Sequence, residues 1–156
     1  MKRISRLLTT SILACAALVY GTATQAAQAY SALFVFGDSL SDSGNNALGV
    51  GIDPLQVISG NTYVPYNPYA KSGTYSNGPV WATQFADKLG MTLMPSLALQ
   101  GLGMSFAGGA NFAFGGATTS GGSAPSLLDQ TTMYLGNAPS TAIANNALYV
   151  VAGGGN

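Results

Sequence analysis

Phe34-Val35-Phe36-Gly37-Asp38-Ser39-Leu40-Ser41-Asp42-Ser43-Gly44-Asn45 is an apolar run that stops abruptly in a polar turn. A short β-branched and aromatic run of this kind suits a strand buried on both faces, as in a parallel sheet. In open α/β sheets, ligands bind outside the carboxyl ends of the strands. The stretch therefore predicts that Ser39 stands at such an edge as a candidate nucleophile. Asp38 and Asp42 are expected to bond backbone amides of the turn around it.

Two later segments end in a similar way. Ala110-Asn111-Phe112-Ala113-Phe114 runs into Gly115-Gly116-Ala117, and Ala147-Leu148-Tyr149-Val150-Val151-Ala152 runs into Gly153-Gly154-Gly155-Asn156. A glycine pair at a strand end permits positive φ and close backbone approach, which suits an amide-lined anion site or simply a turn. Two helices are expected between the strands. The first covers Pro79–Leu89, with Pro79 in its first turn, Trp81, Phe85 and Leu89 facing the sheet, Asp87 and Lys88 solvated, and Gly90 closing it. The second covers Ser126–Leu135, after Pro125, with Leu128, Thr131 and Leu135 on one face and Gly136 at its end. Strands alternating with helices predict an α/β fold with a parallel sheet, the ends at Ser39, Gly116 and Asn156 sharing one edge.

The remaining segments read as connections. Leu48–Gly78 is rich in Gly, Asn, Pro and Tyr, and is expected to form a long loop. Its Tyr63, Tyr66, Tyr69 and Tyr75 are expected to hold the loop to the body by ring burial, in preference to lining an entrance for substrate. Met91–Gly109 has no steady period and reads as a mobile connection.

Composition narrows the function. Lys2, Arg3 and Arg6 precede the apolar stretch Leu7–Tyr20, and Ala27-Gln28-Ala29 follows, so residues 1–29 read as a secretory signal peptide and 30–156 as part of one domain. The apolar core is too short for a membrane span. Cys15, the sole cysteine, leaves with the signal; the apolar core continues past it through Val19, unlike a lipidation box. Beyond residue 29 only Lys71 and Lys88 stand against Asp38, Asp42, Asp53, Asp87 and Asp129. That acidic balance excludes a nucleic-acid partner. The chain contains no histidine.

The G-x-S-x-G elbow is absent, since both Gly37-Asp38-Ser39-Leu40-Ser41 and Gly103-Met104-Ser105-Phe106-Ala107 lack its final glycine. No dinucleotide or P-loop fingerprint occurs, and no clustered ligands call for a metal or cofactor. Phe36–Asn45 does, however, resemble the first block of the GDSL, or SGNH, esterase and lipase family. Asn111–Ala117 is similar to its second block and Gly154-Gly155-Asn156 to the start of its third. Tyr75–Trp81 is similar to a segment of the plant-type and bacterial autotransporter-type branches.

The resemblance implies a three-layer α/β/α, flavodoxin-like fold, incomplete at the carboxyl end, and a secreted serine ester hydrolase acting through an acyl-enzyme on a small ester or lipid. It implies Ser39 as nucleophile, with the Ser39 amide, the Gly116 amide and the Asn156 side chain as oxyanion hole. Gly115 is the alternative to Gly116. Each such donor is typically worth ~3 to 4 kcal/mol of transition-state stabilisation. The implied location is secreted or periplasmic, with an outer-membrane tether if a transporter barrel follows.

The chain departs from the family in lacking the Asp-x-x-His block that supplies the base, and the Asp that usually follows the third-block Asn. It reads as an amino-terminal fragment, inactive as given, because a serine hydroxyl without a base is a weak nucleophile. A terminal carboxylate at Asn156 would repel a nearby oxyanion by on the order of 3 kcal/mol at ~5 Å and an effective dielectric of ~20. Ala147–Val151 would lie at an unpaired, aggregation-prone edge. The competing reading is a non-catalytic secreted binding or surface module that retains the fold.

Overall fold

A computed structural model of the chain describes residues 30–54, 67–137 and 145–156. The expected signal peptide, Tyr63 and Tyr66 lie outside them. The apolar run forms strand β1, Ala32–Gly37, buried at all six positions. It is the centre of a three-stranded sheet of order β2-β1-β3, where β2 is Gly109–Asn111 and β3 is Ala147–Ala152. Both pairings are parallel: Leu33 to Val35 align with Gly109 to Asn111, and Ala32 to Gly37 align with Ala147 to Ala152. The carboxyl ends therefore share one edge, as the sequence predicts.

Side chains of β1 alternate between two cores, as a strand's period of two requires. Ala32, Phe34 and Phe36 face a cluster with Leu99, Phe106, Ala110, Phe112 and Tyr134. Leu33 and Val35 face one with Val80, Ala82, Ala86, Met91 and Leu93. The first cluster is covered by helices α3, Ser96–Gly101, and α4, Leu127–Asn137; the second by α2, Trp81–Lys88. A short helix α1, Asn45–Gly49, follows the serine turn directly. Helices on both faces of a parallel sheet make the three-layer α/β arrangement.

Both long helices turn a different face inward from the one expected. In α2 the buried residues are Ala82 and Ala86. Phe85 and Leu89 pack at the margin, and Trp81 is 38% exposed. Alanines let the helix approach the sheet closely, which displaces the large side chains to its flanks. In α4, Gln130 and Tyr134 are buried, with Leu127 and Met133 packed beside them. Leu128 and Leu135 are 62% and 67% exposed, and Thr131 is exposed, its hydroxyl donating to the Leu127 carbonyl.

The aromatic core accounts for the Tyr134 side of α4. Its ring lies 5.0 Å from Phe34 and 5.8 Å from both Phe36 and Phe112, in edge-to-face geometry that suits the ring quadrupoles. Its hydroxyl shares a 2.7 Å hydrogen bond with Tyr149. Burial, then that neighbouring hydroxyl, pushes the Tyr134 phenol up to about 12. The α4 amino terminus is closed by Ser126 and Asp129. The Ser126 N–H and hydroxyl donate to Asp129 Oδ2 at 2.9 and 2.6 Å, and the Asp129 N–H donates back to Ser126 Oγ at 3.2 Å. This is a reciprocal capping box.

Met91–Gly109 is an ordered part of the core instead of the expected mobile connection. Met91, Leu93, Leu99 and Phe106 are buried, and the Met94 carbonyl accepts the Asn111 N–H at 2.9 Å. Apolar residues at uneven spacing fit here because the segment changes from extended to helical at Pro95. Gly109 itself is required, having φ 103° and no room for a Cβ against the Leu33 backbone. The β2 ladder is also shorter than expected. Phe112 and Phe114 nonetheless donate their N–H groups to the Val35 and Gly37 carbonyls at 2.7 and 3.1 Å, carrying the chain to the end of β1.

Candidate active site

Where β1 stops, the chain enters a tight turn. The Ser41 and Asp42 N–H groups both donate to the Asp38 carbonyl at 3.0 Å, and the Leu40 N–H donates to Asp38 Oδ1 at 3.1 Å. Ser39, at the crest, is half-buried. Among the described residues neither its hydroxyl nor its N–H has a hydrogen-bond partner. Ser41 is fully buried beneath it, and its Oγ accepts the Trp81 indole N–H at 3.2 Å. The structure thus places Ser39 at the sheet edge with its hydroxyl and N–H free of partners among the described residues.

Asp42 ties this turn to the next strand end. Its Oδ1 accepts the Gly44 and Asn45 N–H groups at 2.9 and 2.7 Å; its Oδ2 accepts those of Asn46 and Gly115 at 3.2 and 3.0 Å. Burial pushes the Asp42 carboxyl above the usual carboxylate value, and the four N–H donors oppose that shift. The expectation that Asp38 and Asp42 serve the turn's backbone matches these bonds.

Three asparagines extend the tie. Asn45 Nδ2 donates to the Asn111 and Ala113 carbonyls at 2.8 and 2.9 Å, while its Oδ1 accepts the Leu97 N–H at 3.0 Å. Asn111 Nδ2 donates to the Ser41 carbonyl at 2.7 Å. Asn46 Nδ2 donates to the Tyr75 hydroxyl at 2.6 Å and the Gly115 carbonyl at 3.1 Å. The Tyr75 ring lies so close to Gly115 that a Cβ there would collide with it. Of the four loop tyrosines, Tyr75 therefore anchors the loop at the site and Tyr69 is buried.

The two glycines are not equivalent. The Gly115 N–H is committed to Asp42. Gly116 is exposed with φ 81°, and its N–H has no partner among the described residues. The third strand end closes the group. Asn156 Nδ2 donates to the Ala117 carbonyl at 2.9 Å, and a Cβ on Gly155 would lie 3.4 Å from Asp38 Oδ2. Asn156 thus reaches the residue after Gly116, and its neighbour flanks the residue before Ser39.

Gln130 is the site residue that sequence reading passes over. Its buried side chain takes the Gly37 N–H on Oε1 at 2.9 Å, and through Nε2 donates to the Gly37 and Pro125 carbonyls at 2.9 and 3.0 Å. A stripe read as Leu127, Gln130, Tyr134 would have exposed it. A polar residue in the middle of that stripe argues against choosing it from hydropathy alone. Among the described residues no group of three or more His, Cys, Asp or Glu is placed to hold a metal ion, and no helix is long and apolar enough to cross a membrane.

Comparison with known proteins identifies the chain's relatives. The family model described as GDSL-like Lipase/Acylhydrolase matches residues 33–156. A GDSL esterase/lipase of Arabidopsis thaliana is 31% identical over 112 residues, covering 72% of this chain and 28% of the relative. The chain therefore spans less than a third of that curated relative's length.

Proposed function

The chain belongs to the GDSL-like lipase/acylhydrolase family, a family of ester hydrolases, and from that premise we propose that it carries the nucleophile and oxyanion hole of a serine ester hydrolase. Ser39 Oγ attacks the carbonyl of a small ester or lipid, forming a tetrahedral intermediate that collapses to an acyl-enzyme with loss of the alcohol; water then releases the acid. The N–H groups of Ser39 and Gly116 and the Asn156 side-chain amide receive the oxyanion. The observation that carries this reading is the Gly116 N–H, without a partner among the described residues, beside a Gly115 N–H bound to Asp42. It supports Gly116 over its neighbour as donor.

On this reading the serine proton needs a base, and these 156 residues contain no histidine to supply it. The 156-residue chain by itself is inactive on this reading. Residues 1–29 direct the protein out of the cytoplasm, to the periplasm, medium or cell surface, and neither nucleic acid nor a cofactor takes part. The same lack of histidine favours the second reading, a non-catalytic binding module on this fold.

Hydrolysis of p-nitrophenyl butyrate by the intact protein separates the two. Ser39→Ala is expected to lower turnover by about 10⁶-fold, as loss of a serine nucleophile typically does. Turnover unaffected by Ser39→Ala would end the catalytic assignment. Turnover by the 156-residue chain that disappears in Ser39→Ala would show that no external base is needed.

A further inference from the structure

The geometry points to Gln130 as a positioning residue that fixes the nucleophile turn by clamping the peptide groups of Gly37. A primary amide offers an acceptor oxygen and two N–H donors, and Gln130 engages its oxygen and its nitrogen in three bonds. Oε1 accepts the Gly37 N–H, and Nε2 donates to the Gly37 and Pro125 carbonyls. Reversing the amide would set a donor against the Gly37 N–H and an acceptor against two carbonyls, so the network fixes its orientation. Gln130 thereby acts as one residue of an additional strand at the last position of β1, two residues before Ser39.

Gly37 is confined from every other side as well. Its carbonyl also accepts the Phe114 N–H. A Cβ on it would collide with the Ala152 carbonyl and lie 2.9 Å from Ser41 Oγ. The segment following β2, together with β3, α4 and the serine turn, thus meets on a single glycine. Of these contacts, only Gln130 brings both a donor and an acceptor from a side chain, across 93 positions of sequence.

A core residue with no other task could be apolar at this position, as Leu127 on the same stripe is. A fully buried amide whose three hydrogen bonds all go to backbone close to the nucleophile fits a positioning role better, because small misplacement of a reacting group costs rate far more than it costs stability.

The kinetic part rests on the serine-hydrolase reading; the structural part does not. In the intact protein, Gln130→Met removes all three bonds at similar volume, and Gln130→Glu keeps an acceptor for the Gly37 N–H while losing the donors when ionised. Amide hydrogen exchange at Gly37 and across Asp38–Asp42 is expected to rise about tenfold or more in Gln130→Met, with Phe34 as the reference amide unchanged. Turnover is expected to fall on the order of 10- to 100-fold in both variants with KM within about twofold of wild type.

Exchange that rises equally at Phe34 and Gly37, or at neither, overturns the inference, as does unchanged turnover in a protein whose activity depends on Ser39. If no Ser39-dependent turnover exists, the hydrolase reading fails, and the exchange comparison alone still decides whether Gln130 holds the turn.

Discussion

At the scale of single residues, the site is held together by buried polar groups that bond mainly to backbone. Asp42 is the extreme case, since both of its oxygens are occupied by pairs of N–H donors. Asp42→Asn conserves shape but sets an NH2 group against one pair, leaving buried donors unsatisfied. Such groups cost ~1 to 3 kcal/mol each, so the substitution is expected to lower stability by at least about 2 kcal/mol, read as a lower urea midpoint at an unchanged slope. Ser39 contrasts with Asp42 because its hydroxyl and N–H have no partner among the described residues. The sequence made Ser39 legible through the polar break after an apolar run. It could not show that Asp42 binds Gly115, because that bond spans 73 positions and depends on two strand ends meeting.

At the scale of elements, the sheet and the two long helices were readable from apolar runs and their glycine and proline boundaries, whereas the buried faces were not. Helical periodicity places large apolar residues on a stripe, but α2 is seated by Ala82 and Ala86, and α4 by Gln130 and Tyr134. In both, close approach and satisfied hydrogen bonding outweighed side-chain size. The α4 cap makes stability depend on pH. The Ser126 hydroxyl, then its N–H, hold the Asp129 carboxyl below its ordinary 3.8. With the folded value below the unfolded one, this contribution is fully present above about 3.8 and is lost as the pH falls through the folded value. The melting temperature of Asp129→Asn is therefore expected to lie below wild type at neutral pH and to converge with it in strong acid. β2 offers a second check. Gly109→Ala places a methyl against the Leu33 backbone at φ 103°, and is expected to cost about 3 kcal/mol, the upper end of the range for overpacking, in urea unfolding.

At the scale of the whole molecule, β1 is buried on both faces and paired on both edges, whereas β3 pairs with β1 alone among the described residues. Its alternate residues show the difference. Leu148 and Val150 pack against the core below them, and Tyr149 stacks on Phe34 at 5.2 Å but is still 43% exposed. Val151 is 66% exposed, and Leu128 and Leu135 are uncovered on α4. A regular apolar strand with one free row of N–H and C=O groups is a template for pairing with another chain. The 156-residue chain is therefore expected to self-associate through β3, with sedimentation velocity showing species larger than a monomer that grow with concentration. Val151→Lys removes little buried apolar area and places a charge on the exposed edge, a device by which natural sheets discourage edge pairing. It is expected to shift the chain towards monomer while leaving the melting temperature within a few degrees of wild type, as a surface change within about 0.5 kcal/mol would. A wild-type chain that is already monomeric would mean that this edge is covered in solution. Association undiminished in Val151→Lys would move the contact from β3 to the exposed leucines of α4, where Leu128→Lys and Leu135→Lys then become the variants that separate the copies.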